Sequence, residues 1–229
     1  MIWTKRRLLI AVAMSDTLTS KRFFELYERL NEDVSLNDTF VLGDLKYSLP
    51  EETNKWIESM DWDLEIKRLQ EQKVKVLTIL DGAYPQRLKE IYLPPIVLFY
   101  SGNLSLVNKR AVAIVGSRDH SKYAKDCIHE LIPVLVKDDI VVISGLARGV
   151  DTLAHEETLK ANGETIAVIG SGLDMVYPPE NSKLYDVIAK RGLILSEYPL
   201  QSRPLKFHFP YRNRIIAGLS HGVCVIEAK

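Results

Sequence analysis

Five short apolar runs, separated by four stretches of helical length, constrain this chain more than any other feature. The runs lie at residues 111–115, 140–143, 166–169, 193–195 and 223–226 and are rich in β-branched side chains. Between them fall 121–136, 151–161, 182–190 and 211–219, each long enough for two to four helical turns. A strand apolar on both faces must be covered on both, and a helix between successive strands makes those strands parallel. The expected fold class is therefore α/β, a Rossmann-like, doubly wound, mostly parallel sheet occupying residues 73–229. Residues 1–72 have a different texture, rich in charge and helix formers, with helices expected near 6–14, 20–30 and 53–72. Phe23, Phe24, Leu26, Tyr27 and Leu30 share one helical face, and Thr19 or Ser20 can cap that helix. We expect a small helical N-terminal domain there. Residues 73–80 and 96–100 read as two short strands around a helix, a connector into the main domain.

At 229 residues there is room for one sizeable α/β domain and a smaller helical one. The net charge is +0, so the chain as a whole is no polycation. Its charges are nonetheless unevenly placed: no acid lies between Glu197 and Glu227, while Arg203, Lys206, Arg212 and Arg214 do. That segment is a cationic patch on a neutral protein. Cys127 and Cys224 each sit in an apolar periodic stretch, which suits buried thiols better than a disulfide framework, and no Cys/His spacing suggests zinc. The apolar run ending at Ala13 is too short to span a bilayer, and no small-residue cleavage site follows. A cytoplasmic protein without metal or cofactor is the expectation.

In doubly wound sheets ligands collect at the carboxyl ends of the strands. The first such loop is Gly116-Ser117-Arg118: glycine permits close approach of a phosphate, serine offers a hydroxyl, and arginine a charged fork. A tight turn with a solvated arginine is the plainer alternative. The second, Ser144-Gly145-Leu146-Ala147-Arg148-Gly149-Val150-Asp151, is again small-residue rich; Asp151 is placed to cap a helix, and Arg148 to meet either a phosphate or solvent. The third begins Gly170-Ser171-Gly172 but lacks the third glycine of a dinucleotide fingerprint and runs into Tyr177-Pro178-Pro179, which argues against an NAD site. Together these loops describe a phosphate-lined crevice for a nucleotide or a nucleic-acid backbone. The fourth loop carries Lys206, Phe207, His208 and Phe209, then Pro210 as a helix opener and Arg212, Asn213 and Arg214 in the turn that follows. Cations interleaved with rings suit a single strand, whose phosphates need charge and whose bases stack on aromatic faces. One of the two phenylalanines is expected to be a core anchor, with Phe207 the stacking ring. His155 is expected to be structural, and no nucleophile–base pair stands out.

Ala111-Val-Ala-Ile-Val-Gly-Ser-Arg118, Ser144-Gly-Leu-Ala-Arg-Gly-Val-Asp151, Ala167-Val-Ile-Gly-Ser-Gly-Leu-Asp174 and Phe209-Pro-Tyr-Arg-Asn-Arg-Ile-Ile-Ala-Gly-Leu-Ser220 occur in order. With Asp81-Gly-Ala-Tyr-Pro85 and Pro95-Ile-Val-Leu-Phe-Tyr-Ser-Gly-Asn103 they resemble the DprA/Smf family from about Lys73 onward. The resemblance implies a dimeric, non-enzymatic protein that binds single-stranded DNA without sequence preference and loads the RecA recombinase during natural transformation. It further implies that Arg118, Arg212, Asn213 and Arg214 hold phosphates, with Lys206 in the same basic pocket. Where the family often carries a basic residue after the Tyr-Pro turn, this chain has Pro179, Glu180 and Ser182, leaving Lys183 as the nearest cation.

The alternative is a nucleotide-binding or nucleotide-hydrolysing enzyme or sensor of the lysine-decarboxylase-like superfamily, although its Pro-Gly-Gly-x-Gly-Thr loop does not occur here. A scaffold with protein contacts alone is a third reading, which the basic-aromatic segment disfavours. Family sequences continue past the Val-Ile-Glu-Ala-Lys element, whereas this one ends at Lys229, as a fragment or truncated product would. Residues 223–226 are accordingly expected to exchange their amide hydrogens readily, and the chain to melt below a complete homologue. A cooperative melt as high as that homologue's would contradict this.

Overall fold

The computed structural model describes residues 2–33, 39–45 and 48–228; Lys229, the end of the last sequence motif, lies outside them. Helix α1 (Lys5–Ser15) is capped by Thr4, whose side chain accepts from the Arg7 amide, and it ends at Asp16 in the left-handed region, φ 49°. Helix α2 (Ser20–Glu32) is capped by Thr19, as expected. The single helix expected over 53–72 is instead two, α3 (Glu51–Ser59) and α4 (Trp62–Glu71). Met60 and Asp61 between them are extended, and the Asp61 carboxylate accepts from the amides of Asp63 and Leu64. An aspartate that caps a new helix outweighs the periodicity that runs through it.

The remaining elements follow as β1 (Lys75–Thr78), α5 (Gln86–Lys89), β2 (Val97–Gly102), β3 (Ala111–Val115), α6 (Lys122–Lys137), β4 (Val141–Ser144) and α7 (Val150–Lys160). After these come β5 (Thr165–Ile169), α8 (Ser182–Arg191), β6 (Leu193–Ser196), α9 (His208–Leu219) and β7 (Gly222–Val225). They form one seven-stranded sheet in the order β1-β2-β6-β5-β4-β3-β7. Strands β3 to β7 are mutually parallel where they pair, for example Ala113 with Ile143 and Ile114 with Cys224. The connector strands join the same sheet, β2 running antiparallel to both β1 and β6. The α/β, doubly wound, mostly parallel fold expected from the sequence is the fold observed.

Both sheet faces are covered. Ile114 and Val142 pack with Ile128 and Ile132 of α6 and Val150 and Ala154 of α7. On the other face Ala113, Ile143 and Ala167 meet Ile215, Ile216 and Leu219 of α9. The alanines let that helix lie close to the strands. Leu8, Leu9 and Val12 of α1 belong to the same apolar cluster and pack over β1 and β2, so the N-terminal helices share a core with the sheet. At the far edge β7 leaves Val223 and Val225 more than half exposed. No helix among the described residues is long and apolar enough to cross a membrane.

What aims the carboxyl edge of the sheet is the anchoring of α9. This helix starts three residues before the expected Tyr211, which is possible because Pro210 then falls in the first turn, where its missing N–H has no intrahelical partner to lose. Arg212, 4% exposed, turns inward. Its Nη1 donates to the carbonyl of Gly145 at 2.8 Å and to that of Val168, bridging the ends of β4 and β5. A Cβ at position 145 would lie 2.7 Å from the Arg212 Cζ and 2.7 Å from Asp151 Oδ2, so only glycine fits between them. Asp151 does not cap α7, a place taken by Gly149; it accepts from the amides of Gly145 and Ala147 and closes the loop. Burial pushes the Arg212 guanidinium down to about 10, with Asp151 opposing, so it stays cationic at neutral pH. A second tie joins Arg214 to Glu197 at 2.6 Å, just past β6.

His155 of α7 is buried beside this anchor. Thr165 donates its hydroxyl proton to the Val142 carbonyl and therefore accepts from His155 Nδ1, at 2.7 Å. Burial, assisted by the Arg212 charge, pushes the imidazole down to about 3. Its role is structural, as expected.

Replacing Arg212 with alanine strips two buried carbonyls of their donor and leaves Asp151 without a counter-charge. A loss of about 3–5 kcal/mol in urea unfolding is expected; a loss below about 1 kcal/mol would contradict the anchoring. His155 binds its proton more weakly folded than unfolded, so its stabilising contribution is complete above the unfolded value of about 6.5 and declines as the pH falls towards 3. Across that window wild type should lose stability faster than His155→Gln, by up to about 1.4 kcal/mol per pH unit. Parallel pH profiles would show the histidine to be unburied.

Candidate functional site

The loops after β3, β4 and β5 converge at the carboxyl edge, held together by backbone contacts. The amide of Val150, first residue of α7, donates to the Ser117 carbonyl at 3.1 Å. Gly149 adopts φ +78°, and a Cβ there would come within 2.6 Å of the Arg118 carbonyl carbon. Its glycine identity follows from both the conformation and the contact.

A small cleft opens where these loops meet, lined by Arg118, Arg148, Gly145, Gly170, Tyr177 and Phe209. Arg118 is exposed, with its guanidinium carbon 5.7 Å from the centre of the Phe209 ring. That ring packs against Tyr177 at 5.6 Å between centroids and lies over Gly170. Arg148 is exposed and pairs with Glu180 on the cleft's outer rim. Two guanidinium groups and two rings thus border a floor of small residues. This combination attracts anions, with charge-assisted donors at its sides. The cleft encloses about 70 Å³, room for one phosphate-sized group. Enclosed small-molecule sites commonly measure about 300–1,000 Å³.

Of the residues singled out in the sequence, Arg118, Gly145 and Gly170 meet in this cleft. Ser117 lies beside it, its hydroxyl engaged with the backbone of Asp119. Gly116 packs against Val150, where a Cβ would sit 2.8 Å from Cγ2. Ser144 is buried and donates to the Ile114 carbonyl at 2.6 Å, so it faces the sheet. Gly172 fits against the Pro199 carbonyl and Asp174. Lys183 is exposed in the first turn of α8 and does not line the cleft; Glu180 stands nearer.

The basic-aromatic segment divides. Lys206 and Phe207 are exposed, the ring 68% so. His208, which a solvated loop would have left outside, is buried, stacks on Tyr198 with centroids 3.8 Å apart and donates from Nδ1 to the Gly170 carbonyl at 3.0 Å. Phe209 is the half-buried anchor of the pair. Asn213 is exposed and accepts from Arg212 Nε at 3.2 Å. Arg212 lies beneath the cleft, engaged with carbonyls, and Arg214 is engaged with Glu197 past β6. Tyr177 and Phe209 line the cleft without having been assigned a binding role from the sequence, and Arg148, there left between phosphate and solvent, lines it too. Each carried a signal, being a ring or cation inside a strand-to-helix loop. Arg212 also had one: Ile215, Ile216 and Leu219 stand three, four and seven positions on, the spacing of one buried stripe.

A family model described as DNA recombination-mediator protein A matches residues 75–229. The DNA processing protein DprA of Streptococcus pneumoniae is 52% identical over 158 residues, covering 69% of this chain and 56% of its own length. The DprA protein of Bacillus subtilis is 44% identical over 160 residues, 69% of this chain and 54% of that one. The chain spans about half the length of these curated relatives. Among solved structures, that of DprA from Streptococcus pneumoniae superposes with a TM-score of 0.85 at 40% identity, covering all of this chain and 80% of that one. DprA from Helicobacter pylori, whose structure is described in terms of a single-stranded DNA binding mode, gives 0.60 at 35% identity over 69% of this chain and 70% of its own. On its motifs, its fold and these similarities, the chain belongs to the DNA recombination-mediator protein A family, DprA/Smf.

Proposed function

We propose that the carboxyl-edge cleft binds the sugar-phosphate backbone of single-stranded DNA, and that the chain acts as a recombination mediator rather than as an enzyme. The observation that carries this is the juxtaposition of Arg118 and Arg148 with Tyr177 and Phe209 over a floor of Gly145 and Gly170. The guanidinium groups take a phosphate, the rings exclude water and offer stacking faces, and exposed Phe207 and Lys206 extend the surface along α9. In this reading Arg212, Asn213 and Arg214 contribute by fixing the start of α9, and Gly116, Ser117, Ser144 and Gly172 by fixing the loops. The Arg148–Glu180 pair is solvent-exposed, so exchanging the carboxylate for a phosphate costs little.

The cleft's small volume favours a strand passing over it, one phosphate seated at a time, above the nucleotide-processing alternative. The proposal extends to loading of the RecA recombinase during DNA uptake, assembly as a homodimer and a cytoplasmic location, for which family membership is the support.

Anisotropy of a labelled oligo-dT across a salt series, with duplex as control, tests this reading. Arg118→Ala should weaken binding and make the log–log salt slope shallower by about 0.7, one phosphate contact on a single strand. Phe207→Ala should remove about 1–3 kcal/mol of binding and leave the slope unchanged. Equal affinity for duplex, or a wild-type slope in Arg118→Ala, would contradict the assignment.

A further inference from the structure

A larger cavity lies away from the phosphate cleft, where the turn between α1 and α2 faces the loop leading into α9. It holds about 550 Å³, several times the cleft, and its walls are chiefly apolar. Thr17, Leu18 and Lys21 line one side, Phe207 and Tyr211 the other, and Leu93 lies at the margin. The stacked pair of Tyr198 and His208 borders it as well.

Three features mark this as more than a packing fault. Its volume is in the range of sites that enclose a small organic group. One of its residues holds unusual backbone, Leu93 at φ 50°. A leucine in the left-handed region is disfavoured, and such conformations persist where the surroundings enforce them. The walls also leave rings open, Phe207 above all, beside polar groups that can both donate and accept. Ser20 supplies a hydroxyl; that of Thr17 is engaged with the hydroxyls of Ser15 and Thr53, and Asp16 accepts from the Ser202 hydroxyl at 3.2 Å.

Continuity with the cleft identifies the occupant. Lys21 in the wall offsets the Asp16 carboxylate there, and the first turn of α2 adds no acid, so a nucleotide strand meets no net negative charge. Phe207 lines this cavity and Phe209 lines the cleft, two residues apart at the start of α9, so one strand can meet both. Apolar walls with an open ring and the Ser20 hydroxyl suit a nucleobase of any identity.

Resting on the single-stranded DNA reading, we propose that the junction between the α1–α2 turn and the start of α9 is a base-binding pocket. It takes a nucleobase of the strand whose phosphates lie on Arg118 and Arg148. The N-terminal helices thereby become part of the DNA site, and the strand is gripped by backbone at one end of the α9 start and by a base at the other.

Photo-crosslinking the full chain to oligonucleotides carrying 4-thiothymine at successive positions reads this directly. At one or more positions the crosslinked peptide should contain Thr17, Leu18 or Lys21. Crosslinks confined to Tyr177 or Phe209 would overturn the pocket and leave the DNA reading standing, whereas no salt-sensitive binding by the folded chain would overturn both. A second variant covers the energetics. Leu18→Trp, at a partly exposed wall position, fills the cavity and should reduce affinity for oligo-dT roughly tenfold, the scale of one lost stacking contact. Its affinity for an abasic oligonucleotide of equal length, and its salt slope, should match wild type. Undiminished oligo-dT binding by that variant would also overturn the proposal, and would leave the cavity to an apolar side chain of a protein partner.

Discussion

The carboxyl edge of this sheet depends on one buried cation. Arg212 reaches from α9 to the ends of β4 and β5 and donates to two backbone carbonyls, that of Gly145 just past β4 and that of Val168 near the end of β5. A guanidinium can do this because it presents several donors in a rigid plane; a lysine would offer a point charge with a different reach. Its burial is tolerable because Asp151 balances its charge while also closing the loop through two amides. Gly145 is the space that lets these groups meet. The same contact sets the height of α9 over the sheet, and so aims Phe207 and Phe209 and places Arg118 across from Arg148.

Around that anchor the fold separates support from recognition. Groups that look like ligand contacts in one dimension, such as the Ser144 hydroxyl and the Arg214 guanidinium, are engaged inside the protein, the first with the Ile114 carbonyl and the second through Nη2 with Glu197. The groups that face outward, Arg118, Arg148, Tyr177, Phe207 and Lys206, are lightly held or exposed. The arrangement suits a long flexible anion: rigid small-residue loops give a fixed floor, and side chains at the rim adapt to successive phosphates and bases. Placing α1 against β1 and β2 brings the α1–α2 turn beside the start of α9, so the helical segment borders the recognition surface.

Much of this was legible in the sequence because it is local. The β-branched runs lie within a residue or so of β3 to β7, and Thr19 marked the start of α2. What was not legible depends on non-local partners. The antiparallel pairing of β2 with β6 joins residues far apart in sequence, and nothing in either strand alone specifies it. The inward turn of Arg212 was hidden by reading it as a cation next to other cations, although its spacing from Ile215, Ile216 and Leu219 placed it on the buried stripe. His208 was hidden likewise, since its partners Tyr198 and Gly170 come from other loops. The break between α3 and α4 turned on a single capping aspartate inside an otherwise continuous apolar pattern.

The central claim is spatial: a single strand lies across the carboxyl-edge loops and the start of α9. Hydrogen–deuterium exchange of the folded chain with and without saturating oligo-dT tests it most directly. Slowed exchange should be confined to residues 116–119, 145–149, 170–178 and 203–211, with the α1–α2 turn joining them if its pocket is filled. Protection along α6 or the β7 edge, with these loops unchanged, would place the strand elsewhere and contradict the account.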